Sequence, residues 1–470
     1  MSKKSLNLLA IDCGNSAIRV TLGQFDGDRV QTRLIHQVEQ REVYFNGLFY
    51  WDILFLYQQM KNGLSKAYAE CGGIDSAAIS TWGIDFGLLN GEGYFLSNPL
   101  SYRNTLGKEA LEKLPEADRR FNFFNSGIQC DKINTLYQIL GFREKFPRTF
   151  EGAGRLLLIP DLLNYLFTGE AYTESTILST SQLYDVQKGT YSEDILAAFN
   201  IDGGLFPAIK KHGEVRGFLR AEIAEELGIN VFPFITIPSH DTAAAVGSIC
   251  PGEDDREPLF ISSGTWCLIG TELQEPLVNE AVYQSDFTNE GGILGTTTFL
   301  KNSAGLYIAR RLYDECFPHN EIPWEEVAER TSAVESPKIL FDPNDDVFFN
   351  PPSMRKAIIN KTGIKAPDNF VLFRLVYDSL AHSYKGAIEE IEHIRGGGYG
   401  AVYIVGGGSR NKLLNRITAA VTGKTVIAGP DEATSFGNLG AQLLYRKRAE
   451  SLADIRGVIQ KSIRITVYGD

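Results

Sequence analysis

Two stretches, roughly half the chain apart, read alike, and they limit the fold more than any other feature. Near the start, residues 6–12 (LNLLAID) are an apolar run, DCGNSA is a turn of small residues, and 18–25 (IRVTLGQF) and 29–35 (RVQTRLI) alternate as two further strands. Midway, PLFIS (258–262), a short SGT turn and WCLIGTEL (266–273) repeat the order strand, small polar turn, strand. A chain that opens twice in this way folds as two related α/β lobes. Between them CPGEDDREP (250–258) is charged, holds two prolines and has no apolar period, so the expected lobes are 1–249 and 256–470.

Each lobe also carries helical segments. In 369–394, Phe370, Phe373, Val376, Leu380, Tyr384, Ile388, Ile391 and Ile394 recur every three or four residues, behind Pro367-Asp368 and ahead of Gly396-Gly397-Gly398. AVYIV (401–405) then reads as a buried strand, GGGSRN as a connection leading into a helix from about Ser409, and KLLNRITAAV (412–421) as a helix closed by Gly423. The segment 342–354 reads as a loop with apolar plugs.

Composition narrows the function classes. Of 470 residues, 46 are Lys or Arg and 58 Asp or Glu, a formal net charge of −12 that argues against a non-specific nucleic-acid binder. With 43% hydrophobic and 22% charged residues the chain is ordinary globular protein, long enough to hold a core without disulfides or metal. The six cysteines form no C-x-x-C pair and no zinc spacing, which suits reduced thiols and a cytoplasmic protein. The start has no signal-peptide pattern, and no apolar run approaches a membrane span.

Several local patterns can carry chemistry, and each has a plain structural alternative. Asp12-Cys13-Gly14-Asn15-Ser16 and Ser262-Ser263-Gly264-Thr265 are either hairpin turns or backbone N–H cradles for an anion; a carboxylate at the first could hold a phosphate-bound Mg²⁺ through water. Gly406-Gly407-Gly408 ahead of a helix is either a tight connection or a bed for a flat group, and Asn411 either caps that helix or bonds a ring edge. Gly423-Lys424-Thr425 is no phosphate-binding P-loop, because position 418 is Thr and the motif follows a helix. Ser239-His240-Asp241-Thr242 ends the strand-like run VFPFITI, so Asp241 is either a helix cap or a base that takes a hydroxyl proton. In Thr81-Trp82-Gly83-Ile84-Asp85, Trp82 either packs in the core or lies on a sugar ring, Gly83 offers its backbone, and Asp85 is a candidate for hydroxyl groups. Asn289-Glu290-Gly291-Gly292 has turn composition, and Asn302, after Lys301, is expected at a helix start, as a cap or as a hydroxyl ligand.

Taken together, these elements resemble the actin/hexokinase/Hsp70 ATPase architecture, two ribonuclease H-like lobes with a central cleft. More narrowly, the ordered set TWGIDFGLLN (81–90), YRN (102–104), SGIQ with INTLYQ (126–129, 133–138), IPDLLNYLFTG (159–169), SHDTAAAV (239–246), SSGTW (262–266), TNEGG (288–292), LKN (300–302), GGGSRN (406–411) and AGPDEATSFGN (428–438) resembles the FGGY carbohydrate kinases over nearly the whole chain. INTLYQ and SSGTW with TNEGG are similar to the branch that phosphorylates L-rhamnulose on its 1-hydroxyl.

The resemblance implies ATP and Mg²⁺ as cofactors and a small ketose as substrate. It makes Asp241 the catalytic base, His240 and Thr242 its substrate-contacting neighbours, Gly83 and Asn302 sugar contacts on the two lobes, and Asp12 the acidic residue near the metal. Asn15, Ser16, Ala17, Ile18 and Arg19 match the first phosphate loop, Thr265 the second, and Gly407 the adenosine segment. Three positions depart from the family: Ile18 replaces a glycine, Arg310 stands where a glutamine usually approaches ATP, and Asn104 replaces an aspartate. Another ketose, such as L-fuculose or a pentulose, and a non-catalytic sensor of sugar or nucleotide remain alternatives, as do monomer and homodimer.

Overall fold

The computed structural model describes residues 5–252, 255–319 and 321–469. The chain forms two compact units that are not continuous in sequence. The first takes the described residues of Met1–Cys250, Leu273–Phe299 and Thr434–Ser462, the second those of Pro251–Glu272, Leu300–Ala433 and Ile463–Asp470.

The sheet of the first unit has six strands: β1 (Leu6–Cys13), β2 (Ala17–Phe25), β3 (Val30–Glu39), β4 (Ser76–Thr81), β5 (Val215–Phe218) and β6 (Pro233–Ile235), in the order β5-β6-β4-β1-β2-β3. β1, β2 and β3 form an antiparallel meander, while β4 and β6 run parallel to β1. Leu8, Leu9, Ala10 and Ile11 are all buried, as both-face packing of a central strand requires. Helix α1 (Ile53–Cys71) starts where Asp52 accepts the Phe55 N–H at 3.1 Å and stops at Gly72, whose φ of 67° suits glycine. Its Leu56, Met60, Leu64 and Ala67 enter the core cluster with Val20 of β2.

The second unit repeats the plan. β7 (Leu259–Ser263), β8 (Trp266–Leu273), β9 (Thr297–Ala304, where the chain passes into this unit), β10 (Ala401–Val405), β11 (Thr425–Ala428) and β12 (Thr466–Tyr468) lie in the order β9-β8-β7-β10-β11-β12. β7 pairs antiparallel with β8 and parallel with β10, β10 pairs parallel with β11, and β12 closes the edge antiparallel. The long amphipathic segment forms α2 (Asn369–Arg395), capped by Asp368 and closed by Gly396 at φ 70°. It buries Phe373, Val376, Leu380, Tyr384, Ile388 and Ile391, while Phe370 and Ile394 at its ends are half-buried. Each fully buried side chain of this kind contributes about 1.5–3 kcal/mol.

Three local expectations change. Lys301 and Asn302 do not open a helix: they lie within β9, and the next helix begins at Tyr307. Asn289, Glu290 and Gly291 belong to the strand Thr288–Gly291, leaving the turn to start at Gly292. After Gly406 the chain makes a 3₁₀ turn (Gly407–Arg410) before α3 (Lys412–Thr422), whose N-cap is Asn411, its Oδ1 accepting the Leu414 N–H at 3.1 Å. Asn411 is therefore occupied as a cap.

Candidate active site

Three parallel strand ends of the first unit bring its candidate residues together. Cys13 at the end of β1 is level with Thr81 at the end of β4, and Thr81 bridges in parallel to His240, its N–H donating to Ser239 O at 2.8 Å. Asp12, Gly83 and the run His240-Asp241-Thr242 thus leave the sheet at neighbouring carboxyl ends, where open α/β sheets place ligands.

The first turn is narrower than the loop expected from sequence. Only Gly14, Asn15 and Ser16 lie between the strands; Ala17, Ile18 and Arg19 already belong to β2. The turn is closed by the Gly14 N–H to Ala17 O (3.0 Å) and clamped from beyond β3 by Gln40, whose N–H donates to Ser16 O (3.0 Å) and whose amide donates to Gly14 O. Ile18 is fully buried in the core cluster with Trp51 and Trp82, so its side chain is taken up by packing. Arg19 lies across from Asp12 and its Nη1 is 3.3 Å from Asp12 Oδ2. Asn15 Oδ1 is buried without a hydrogen-bond partner among the described residues, as expected of a turn that awaits a polar group.

Asp241 is the first residue of a short helix (Asp241–Gly247), not its cap; His240 holds the N-cap position and makes no side-chain cap bond. The Asp241 carboxylate accepts the Thr242 N–H at 2.7 Å and keeps 30% of its side chain accessible. Burial pushes its pKa up, opposed by the neighbouring His240. Burial works against a charged His240, yet Glu290, with Oε2 3.2 Å from Nδ1, raises that imidazole to about 9. Below this pair Glu174 is fully enclosed. It accepts the Ser239 N–H (3.1 Å) and hydroxyl (2.6 Å), the Thr176 N–H (2.8 Å) and hydroxyl (2.7 Å), and a His212 N–H (2.9 Å). Burial alone would raise the Glu174 carboxyl; the bonds from His212, Ser239 and Thr176 bring it down to about 2. It is a fixed anion that anchors the strand end carrying His240 and Asp241.

Gly83 packs against Thr180, where a Cβ would come within 2.9 Å of its Oγ1. Asp85 is not available to hydroxyl groups. It is fully buried, with Oδ2 accepting the indole N–H of Trp51 (2.6 Å) and of Trp82 (3.0 Å). Burial raises it to about 7 against those bonds. Trp82 is accordingly a core residue, its ring centroid 4.3 Å from that of Trp51 with the two planes tilted by 42°.

In the second unit, Thr265 is exposed at the turn between β7 and β8. Beside it Ser262 is level with Val405 of β10, which puts Gly406-Gly407-Gly408 against the same turn. Gly406 has a φ of 79°, a Cβ at Gly408 would overlap Ser263 Oγ, and Gly407 faces open space. These glycines make a bare backbone surface able to lie against a flat group. The helix Tyr307–Cys316 is tied to the turn by its Tyr307 N–H, which donates to Thr265 O at 3.1 Å. Arg310 on that helix is 61% exposed and pairs with Asp314 at 3.1 Å. Asn302 is exposed on β9.

Sequence reading passed over Glu174, His212 and the role of Glu290. Their partners lie 65, 38 and 50 positions away, so only the tertiary fold reveals them. No cluster of three or more His, Cys, Asp or Glu side chains among the described residues is grouped to hold a metal by protein alone. A single carboxylate such as Asp12 suits a cation that arrives on phosphate groups.

Comparison with known proteins gives the family. The N-terminal domain pattern of the FGGY family of carbohydrate kinases matches residues 7–247 and its C-terminal domain pattern 259–444. A rhamnulokinase of Bacteroides thetaiotaomicron is 32% identical, with 98% of this chain and 95% of that protein covered. A rhamnulokinase of Halalkalibacterium halodurans is 34% identical, with 98% of each covered. Among solved structures, gluconate kinase from Lactobacillus acidophilus has a TM-score of 0.81 at 13% identity, covering 99% of this chain and 94% of that one. Plasmodium falciparum glycerol kinase with ADP has a TM-score of 0.79 at 14% identity, with 98% and 94% covered. At those identities the structures speak for the fold.

Proposed function

Because the chain belongs to the FGGY family of carbohydrate kinases, an ATP-dependent sugar kinase family, we propose that it transfers the γ-phosphate of ATP to the 1-hydroxyl of L-rhamnulose. The sugar follows from the relatives named rhamnulokinase, matched along almost their entire length. The observation that carries the mechanism is Asp241, an accessible carboxylate at a parallel strand end with a cationic imidazole beside it.

In this reading Asp241 Oδ2 takes the proton of the sugar hydroxyl as its oxygen attacks phosphorus, which contributes about 10²–10⁴-fold. His240, Thr242, the Gly83 backbone and Asn302 orient the sugar. The Asn15-Ser16 turn and Thr265 receive the phosphates, and the Gly407 surface receives the adenosine. Mg²⁺, bound to those phosphates with Asp12 nearby, would neutralise the charge that develops on them. A cytoplasmic setting fits six cysteines that are all free thiols.

The test is ADP release with Mg-ATP over L-rhamnulose, L-fuculose, L-ribulose, D-xylulose and glycerol. A kcat/KM preference for L-rhamnulose is expected. Preference for another ketose would replace the sugar but keep the kinase. ATP binding without turnover on any sugar would favour a sensor.

A further inference from the structure

Glu290 faces the proposed base from the far side of His240 and has no part in the steps above. It stands on the strand Thr288–Gly291 with 16% of its side chain exposed, and His240 with 11%. Its Oε2 is 3.2 Å from His240 Nδ1, and the other ring nitrogen, Nε2, is 3.5 Å from Asp241 Oδ1. The pair meets as an ion pair and not in hydrogen-bond geometry, and neither Glu290 Oε2 nor His240 Nδ1 has a hydrogen-bond partner among the described residues. The backbone of His240 is itself fixed, its N–H donating to Thr176 Oγ1 at 3.2 Å and its carbonyl accepting from the Ala244 N–H at 3.0 Å. The three side chains therefore form a line, carboxylate, imidazole, carboxylate, within the first unit.

We propose that Glu290 is a positioning residue for phosphoryl transfer: it holds His240 as a cation turned toward Asp241, and so keeps Asp241 ionised and aimed. The inference rests on Asp241 being the base. The physical reason is the cost of burial. A part-buried Asp241 beside a neutral imidazole would keep its proton to higher pH, and in that protonated form it could not accept another. An imidazolium beside it favours the carboxylate, and a buried imidazolium needs a counter-charge of its own. The charged groups facing His240 are Glu290, Asp241 and Glu174. Glu174 is already occupied by Ser239, Thr176 and His212, which leaves Glu290 as the group set against Nδ1. In the reaction the hydroxyl proton goes to Asp241 while His240 keeps its own.

Two variants test this, Glu290→Gln and Glu290→Asp, each assayed for kcat and KM from about pH 5 to 9, with the His240 ring followed by NMR in the protein without substrate. Glu290→Gln should lower kcat about 10–100-fold, leave KM for ATP within about twofold and move the acid limb of kcat to higher pH. The His240 titration should move down, and Glu290→Asp should restore both limb and titration. An unmoved acid limb with an unmoved His240 titration would overturn the proposal, even if kcat falls, because a merely structural contact behaves so. Should the native protein turn over no ketose, the kinase reading fails on that ground alone. The His240 titration still decides the pair: a downward move in Glu290→Gln supports it, and no move overturns it.

Discussion

In the first unit, β1 is flanked by its meander partner β2 on one side and by the parallel strands β4 and β6 on the other. In the second, β7 stands between β8 and the parallel strands β10 and β11. The two sheets share this central order, down to an antiparallel strand beyond the parallel ones, although the first has six strands and the second seven, the strand Thr288–Gly291 being added beyond β9. Their chemistry does not correspond. The first unit gathers buried and part-buried ionisable groups near its strand ends: Asp12 with Arg19, and Asp241, His240, Glu290 and Glu174. Those of the second carry hydroxyls and glycines around Ser263, Thr265 and Gly406–Gly408. A duplicated scaffold can thus divide a reaction, with proton chemistry on one copy and a neutral backbone surface on the other.

Asp241→Asn strikes this division hardest. If the first unit supplies the base, kcat should fall about a thousandfold while KM for the sugar changes little, since the amide keeps the shape and loses only the basicity. ADP release and ketose binding by calorimetry read the two effects separately. Turnover within about tenfold of the native protein would remove Asp241 from the reaction and dissolve the contrast between the units.

Gly408→Ala addresses the second unit. The new Cβ overlaps Ser263 Oγ, so the turn and the glycine surface must move apart. KM for ATP should rise about tenfold with a smaller loss in kcat, because the change displaces a binding surface and leaves the base intact. A kcat loss with unchanged KM for ATP would mean that the second unit takes part in the chemical step, contrary to the division.

The scaffold was legible in the sequence because it depends on local pattern. Alternation marked β2 and β3, a 3.6-residue period marked α2, and turn glycines marked their ends. The strand end at Asp241 was legible for the same reason, a polar cluster closing an apolar run. Asn302 shows where local pattern fails: Lys-Asn after a strand looks like a helix cap, but β9 continues through it and the cap-like composition has no helix to serve. Asp85 fails differently. Its neighbours in sequence suggest a sugar site, while the partners that bury it include Trp51, 34 positions earlier. The helix Ala433–Gln442 joins the first unit from Thr434 onward, with Asn438 donating to Ala78 O at 3.2 Å and Gln442 donating to Leu9 O at 3.0 Å. Nothing in its own sequence names such distant partners.

Ile18→Gly asks whether the first turn departs from its family in chemistry or only in packing. The side chain is fully buried in the core of the first unit, so its removal leaves a cavity and adds backbone freedom to a central strand. Stability should drop by about 3 kcal/mol, read from denaturant midpoints, while KM for ATP stays within about twofold. A large change in KM for ATP with stability intact would place residue 18 at the nucleotide and not in the core.

Asp85→Asn is the mildest change and probes how the first unit tolerates buried acids. The fold raises the Asp85 carboxyl from 3.8 to about 7, since burial outweighs the two indole N–H donors. A folded-state value above the unfolded one means that the stabilising contribution is complete below 3.8 and is lost as the pH rises toward 7. Asparagine keeps an oxygen for Trp51 and Trp82 and cannot ionise. The melting temperature of the variant should therefore gain on that of the native protein between about pH 5 and pH 7 and hold a constant lead above that. A difference that stays the same at every pH would mean that Asp85 is ionised or neutral throughout. The site beside Trp51 and Trp82 would then be as electrically inert as the glycine surface of the second unit.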